Sequence, residues 1–323
     1  MKGTTLVTGA CGFLGGACIR KLIDQGDQVV AVVRDRHPRA CLYADNLVDH
    51  CIEVRSDLSD PERLISRYQP ERVLHLAAQS QVPEANANPL DTYETNIGAT
   101  WRLLEACRTA RRPPERILVA STDKVYGELG APYTEDMPLT PVHPYDVSKA
   151  AADLLARSYA RHFELPIVLT RCANLYGPGD LNPDRLVPGV CMALVRSETI
   201  RLRSLGNMSR EWLHVDDAAE ATLMLLERAG ETDDLVYNVG SRECATVREV
   251  VDMLLAASGR RSAVSLPDRD PPGEIMVQSL DSSRLRALGW ASEHRLNAGL
   301  TETWRWYARW RWAPPPPPEA TAS

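Results

Sequence analysis

Apolar residues in this chain gather in short runs of strand length, separated by longer stretches with helical spacing. Thr4–Thr8 is the first run; glycines at 9, 12, 15 and 16 follow it, and then Ile19, Leu22 and Ile23 fall on one helical face. "DQVVAVVRD" (27–35) is the second run, and "RVLHLAA" (72–78), "RILVAST" (116–122) and "PIVLTR" (166–171) repeat the theme. Segments 92–110 and 148–162 are long enough for the intervening helices. Strands that are apolar throughout, rather than at every second position, are buried on both faces, so the pattern predicts an α/β fold with a parallel sheet covered on both sides.

The rhythm changes after Cys172. Pro and Gly are frequent from Tyr176 to Gly189, and the alternation becomes irregular. "EWLHVDDAAEATLMLLERA" (211–229) then returns to a strand end and a helix expected to pack back on the sheet. We therefore assign residues 1–172, with about 211–236, to a dinucleotide-binding domain, and residues 173–210 and 237–312 to a smaller C-terminal substrate-binding lobe. The terminal pattern "LTETWRWYARWRW" holds four of the seven tryptophans, a spacing that points to helix packing or a subunit contact. Residues 313–323, with five prolines from Pro314 to Pro318, predict a solvated, polyproline-like tail.

Composition removes several function classes. A formal net charge of -6, with no basic patch interleaved with aromatics, argues against a nucleic-acid partner. No stretch approaches the roughly 18 apolar residues of a membrane span. The N-terminal run lacks the apolar core of a signal peptide, so a cytoplasmic location is expected. The 8 cysteines are scattered without a C-x-x-C pair or a zinc-site spacing, so they are read as reduced, small apolar residues and no metal is expected.

Three sets of residues bear chemistry. In "TGACGFLGG" the glycines at 9, 12 and 15 leave a strand and open a helix, which suits a Rossmann-type, doubly wound sheet with a pyrophosphate on the helix N-terminus. After the second strand, Arg34 favours the 2′-phosphate of NADP, while Asp35 leaves NAD open. Asp57 follows another short apolar run and is read either as an adenine contact or as a cap for the helix near Pro61. Tyr145 and Lys149 stand one helical turn apart in "PYDVSKAAADLL", a geometry in which the ammonium lowers the phenol pKa for proton transfer. Lysine occurs only at positions 2, 21, 124 and 149, among 37 Lys and Arg. Keeping lysine at 124 and 149 suggests a need for an ammonium that can lose its proton. Thr122, Asp123 and Lys124 lie together in "STDKVYG", at a strand end facing the expected nicotinamide position.

These motifs, with "HLAAQ" (75–79), "NIGAT" (96–100), "RCANLYGPGD" (171–180) and "YNVG" (237–240), resemble the extended short-chain dehydrogenase/reductases that act on nucleotide sugars. Nearly all of residues 2–312 shares the resemblance. The Asp-Lys pair and "LPIVLTRCANLYGPGDLNPDRLVPG" are most similar to CDP-glucose 4,6-dehydratases. The resemblance implies a tightly bound NAD or NADP against Gly9, Cys11, Gly12, Phe13, Leu14, Gly15, Arg34, Asp57, Leu58, Leu76, Ala77, Ala78, Asn96, Tyr145 and Lys149. It implies a sugar nucleotide against Gln79, Ser80, Asn174, Arg185, Leu186, Val187, Arg203, Arg210, Asn238 and Arg269.

The same resemblance implies a hydride cycle without net redox change. Tyr145, supported by Lys149 and Thr122, deprotonates the sugar 4-hydroxyl; Asp123 is the acid for the departing 6-hydroxyl and Lys124 the C5 base or a proton relay. Homodimerisation through the helices at 92–110 and 148–162 is implied as well. Two departures stand out: Arg210-Glu211-Trp212 where Arg-Asp is usual, and Met276 where a second phosphate-binding Arg is expected, so that either Arg269 replaces it or the substrate is held differently from the family pattern. A nucleotide-sugar epimerase using the same Tyr145 step is the alternative enzyme, and a non-catalytic NAD(P)-sensing protein the alternative outside catalysis.

Overall fold

The computed structural model describes residues 3–232, 234–270 and 275–309. Trp310, Trp312 and the proline tail lie outside the described residues. Strands β1 (Thr4–Thr8), β2 (Gln28–Val33), β3 (Cys51–Arg55), β4 (Arg72–His75), β5 (Arg116–Thr122) and β6 (Ile167–Cys172) are joined by helical crossovers. The shorter strands are β7 (Asn174–Tyr176), β8 (Ile200–Arg201), β9 (Ser209–His214), β10 (Val236–Val239), β11 (Cys244–Thr246), β12 (Val264–Ser265) and β13 (Val277–Gln278).

The main sheet has seven strands in the order β10-β6-β5-β4-β1-β2-β3, all parallel. The order reverses between β1 and β4, which opens a crevice at the carboxyl ends of those strands. Apolar content throughout each strand follows from two separate cores. Val29, Ala31 and Val33 join one with Ile19, Leu22, Ala218 and Leu223. Val30 and Val32 face the other with Leu103, Leu104, Cys107 and Ala156. Period-two alternation thus feeds both faces.

β7, β9, β11 and β13 form a second sheet and β8 with β12 a ribbon, packed with the helices Leu186–Arg196, Val247–Ser258 and Leu296–Arg309 around Trp212, Leu254, Leu300 and Trp304. The two lobes interleave more than the pattern suggests. β10 completes the main sheet by pairing with β6, although residues from 237 read as substrate lobe; β9 lies in the second sheet, although 211 onward reads as the first domain.

Two expected elements are shorter or broken. β4 ends at His75, and beyond it the Thr8 hydroxyl accepts from Leu76 N and Ala77 N at 3.2 Å each. The helix expected over 92–110 is three pieces: Pro89–Tyr93, a π-helical turn at Glu94–Gly98, and Ala99–Thr109. Such a widened turn re-aims side chains and often marks a functional site. Here Glu94 and Thr95 reach the crevice wall. The 148–162 helix begins earlier, at Pro144, whose fixed φ suits a first helical position. Among the described residues no helix is long and apolar enough to cross a membrane.

Candidate active site

A cleft of about 890 Å³ runs along the switch point between β1 and β4 and continues to the second lobe. Its floor is the glycine loop. Gly9 sits at φ +70°, where a Cβ would lie 2.8 Å from Ala77 N, and a Cβ on Gly15 would lie 2.2 Å from Gly9 O. Side chains at either place would push the loop from β4 or the helix from the loop. The helix Phe13–Gln25 opens with no side-chain cap and no acidic residue in its first turn, so its N-terminal amides suit an anion. Cys11, Gly12, Phe13, Leu14, Arg34, Asp57, Leu58, Leu76, Ala77 and Ala78 line the same cleft. These residues fit a dinucleotide: a glycine cradle for the pyrophosphate and polar groups at the far rim for the ribose.

At that rim the Arg34 guanidinium donates to the Asp35 carboxylate at 2.8 Å. The Asp57 carboxylate accepts from Ser59 N at 2.9 Å, and the Ser59 contacts hold it below the usual carboxylate range. Asp60, not Asp57, caps the helix at Pro61.

Between the loop and the chemistry runs a fixed relay. Thr8 Oγ1 accepts two backbone amides, so its own proton goes to His75 Nδ1 at 2.8 Å; His75 Nε2–H then donates to Thr100 Oγ1 at 2.9 Å, and Thr100 to Asn96 O at 2.6 Å. Burial holds His75 neutral, with its pKa down to about 3.

Thr122, Asp123 and Lys124 occupy the end of β5 and the short 3-10 turn Asp123–Tyr126. Thr122 donates to Asp123 Oδ1 at 3.1 Å and accepts from Lys124 N at 3.4 Å. Asp123 is 2% exposed, and its Oδ2 has no hydrogen-bond partner among the described residues. Burial pushes this carboxyl above its ordinary range, against the pull of Lys124, Thr122 and Arg210. Burial thus favours the protonated form of this carboxyl, and its unsatisfied oxygen leaves it placed to exchange a proton.

Tyr145 and Lys149 line the cleft from the first turns of the helix Pro144–His162. Lys149 Nζ donates to Ala120 O at 2.6 Å, and burial lowers its pKa to about 8. The expected lowering of the Tyr145 phenol by Lys149 is corrected here. Burial raises the phenol, and Arg185 and the Thr122 hydroxyl oppose it, while the Lys149 ammonium donates to the Ala120 carbonyl.

Other expectations are redistributed. Ser80 and Arg185 line the cleft, and Arg185 reaches Asp180 Oδ2 at 3.1 Å and Ser80 Oγ at 3.5 Å, bridging the lobes. Asn96 does not line it: its amide accepts from Gln79 N at 2.7 Å and donates to Gln79 O and Ser148 Oγ, so it pins the loop holding Gln79. Asn238 is fully buried and spent on Tyr126, Tyr133 and Asp281. Val187 is core, beside the partly buried Leu186. Asn174 donates to Glu211 O at 3.5 Å.

Arg203 pairs with Asp184 on the surface. Arg210 donates to Ile275 O at 2.7 Å. Arg269 is exposed and outside the cleft lining, and Met276 is 54% exposed. Glu211, in the departure noted above, binds Arg242 N and Leu280 N at 2.6 and 2.7 Å, a structural use of its longer side chain. The sequence reading missed Asp180, Glu94 and Arg102 on the cleft wall. Asp180 lay within a quoted motif, whereas Glu94 and Arg102, ion-paired at 2.6 Å, depend on the π-helical turn.

The NAD dependent epimerase/dehydratase family model matches residues 5–240. The chain belongs to this family. A dTDP-glucose 4,6-dehydratase of Xanthomonas campestris pv. campestris is 34% identical over 94% of this chain and 93% of its own length. Among solved structures, a dTDP-glucose 4,6-dehydratase from Streptomyces venezuelae with NAD bound superposes with a TM-score of 0.85 at 33% identity, covering 94% of this chain and 96% of that one. A UDP-glucuronic acid 4-epimerase from Bacillus cereus, in complex with UDP-glucuronic acid and NAD, gives 0.85 at 26% identity, covering 94% and 98%. The family members named here thus divide between dehydration and epimerisation on one scaffold.

One side-chain cluster lies outside the cleft lining. His214, Asp216 and His294 bring ligand-type atoms within 4.8 Å of one another. The two rings stack at 3.9 Å and 13°, so their in-plane lone pairs run parallel instead of converging, and His294 Nδ1 is held by Asp217 at 2.8 Å.

Proposed function

We propose that this chain is an NAD-dependent nucleotide-sugar 4,6-dehydratase that acts on dTDP-glucose. The carrying observation is the buried Asp123, with an unsatisfied oxygen, one residue beyond Thr122 at the end of β5. Bound NAD would accept hydride from C4 of the sugar and return it to C6. Tyr145 takes the proton of the 4-hydroxyl, and Thr122 orients that hydroxyl. With a ketone at C4 the C5 proton becomes acidic; Lys124 removes it, Asp123 gives its proton to the 6-hydroxyl, which leaves as water, and as hydride reaches C6 Lys124 returns its proton to C5, the proton held by Tyr145 going back to Asp123.

The dTDP sugar is favoured by the relatives, whose named substrate it is, over the CDP-glucose expected from the Asp-Lys pair. NAD is favoured over NADP for the same reason, and because Arg34 is engaged by Asp35 instead of offering an uncompensated charge to a 2′-phosphate. The epimerase reading draws on the Bacillus cereus neighbour, but a buried acid at 123 has no task in a reaction that loses no water.

Mass spectrometry after separate incubation with dTDP-glucose, CDP-glucose, UDP-glucose and GDP-mannose, each with NAD, tests the reading. A product lighter by one water, fastest from dTDP-glucose, is expected. An isomer of unchanged mass would make the chain an epimerase, and no turnover of any substrate would return it to a binding role.

A second copy of the chain is proposed as its partner. Trp101, 43% exposed on the helix Ala99–Thr109, and Leu154, 54% exposed on the helix Pro144–His162, are large apolar groups on adjacent helices. Leu154→Glu is expected to convert a dimer to a monomer in sedimentation; an unchanged sedimentation coefficient would remove this face from assembly.

A further inference from the structure

Behind the Asp123–Tyr126 turn lies a buried polar cluster that no step above uses. Its base is set by register: Ser121 on β5 is opposite Arg171 on β6, which is opposite Asn238 on β10. Arg171 is wholly buried and donates from Nε and Nη2 to the two carboxylate oxygens of Asp153, each at 2.9 Å. Its remaining Nη1 donates to Tyr126 OH at 2.9 Å and Glu135 O at 3.2 Å, with the guanidinium 4.9 Å from the Tyr126 ring centre.

Tyr126 is the last residue of the turn and is held in three ways. Its hydroxyl donates to Asn238 Oδ1 at 2.6 Å, its carbonyl accepts from Thr140 Oγ1 at 2.6 Å, and its ring stacks on Tyr133 with centroids 4.9 Å apart. These restraints come from β6, β10 and the loop after the turn, all outside the turn itself.

A four-residue 3-10 turn has poor hydrogen-bond geometry and little stability of its own. Asp123 and Lys124 stand on it, and the hydrogen bonds that orient Asp123 come from its immediate neighbours, the Thr122 hydroxyl and the Lys124 amide. The backbone of the turn therefore decides where the acid and base point. Tyr145 and Lys149 are held independently, on a helix of 19 residues and by the Ala120 carbonyl.

We infer that Tyr126 is a positioning residue for the water-elimination step, anchoring the turn that presents Asp123 and Lys124, while the hydride step does not depend on its hydroxyl. The inference rests on the dehydratase reading. Tyr126→Phe keeps the ring stacking and the Asp153–Arg171 pair but removes the two hydroxyl bonds. Misplacement of reacting groups by a fraction of an ångström to an ångström costs about 10- to 100-fold in rate.

The test uses the full chain loaded with NAD and given dTDP-glucose, following reduced-nicotinamide absorbance and product mass together. Expected for Tyr126→Phe is cofactor reduction within about twofold of wild type, at least about tenfold slower formation of the product lighter by water, and accumulation of reduced cofactor. Thr140→Val, which loosens the same turn through its carbonyl, should show the same partitioning more weakly and guards against a folding defect in the first variant. Equal loss of both steps, or unchanged elimination in both variants, overturns the inference. If wild type itself forms no product lighter by water, the dehydratase reading fails and takes this inference with it; if wild type dehydrates and the variants match it, only the inference fails.

Discussion

The site contains two pairs made of one acid and one lysine, and they are built in opposite ways. Tyr145 and Lys149 project from a long helix, and the lysine is the fixed member, its ammonium bonded to Ala120 O at 2.6 Å. Asp123 and Lys124 sit on a short turn; there the acid is the buried member, and the lysine is half-buried. In both pairs burial favours the neutral form of the enclosed partner, lowering Lys149 to about 8 and raising Asp123. The difference lies in what holds them. A helix can aim a side chain through its own hydrogen bonds, whereas a short turn must borrow its rigidity from Arg171, Asn238 and Tyr133.

The largest effect is expected at the helical pair. Tyr145→Phe removes the proton acceptor for the 4-hydroxyl and should slow cofactor reduction about 10²- to 10⁴-fold, read as loss of the reduced-nicotinamide transient. A transient of wild-type size would mean that another group takes the proton, and the two pairs would not divide the work as described.

A comparable but selective effect is expected at the turn. Asp123→Asn keeps the shape and removes the donated proton. Dehydration should fall about 10²-fold or more while cofactor reduction persists, seen as reduced cofactor accumulating before product. Unchanged dehydration would remove Asp123 from the mechanism and with it the contrast between the pairs.

The smallest effect is thermodynamic and has opposite signs at the two sites. Lys149 carries a folded pKa of about 8 against an ordinary value of 10.5. Between these values the unfolded chain binds more protons, so this residue makes stability rise with pH through the window and withdraws that contribution as pH falls through about 8. Subtracting the unfolding free energy of Lys149→Met from that of wild type should leave a difference that climbs from pH 8 to 10.5. A flat difference would mean the ammonium is not desolvated. Asp123, whose pKa is raised, should do the reverse in the acid range: its contribution is complete below pH 3.8 and lost as pH rises. The comparison variant is Asp123→Asn.

Much of the fold was legible because its signals are local. The run at 116–122 is β5 as read, and the glycines after β1 announce a loop whose close approaches are now measurable. Tyr145 and Lys149 share the cleft because four residues on a helix span one turn. Residues whose work depends on distant partners were not legible. Asn238 read as a substrate contact, yet register sets it beside Arg171, where it is consumed by Tyr126. Asn96 read as a cofactor contact, and the π-helical turn directs it to Gln79 and Ser148 instead.

The sequence by itself determined the alternation of strands and helices, the glycine cradle and the chemical types at 122–124, 145 and 149. These follow from periodicity, steric allowance and residue chemistry, all properties of neighbours along the chain. Only the tertiary structure decided that β10 closes the main sheet, that Asp123 is enclosed and Lys124 half-open, and that Arg185 lines the same cleft as Tyr145. Desolvation and long-range charge depend on which surfaces meet when the sheet closes and the second lobe folds over it.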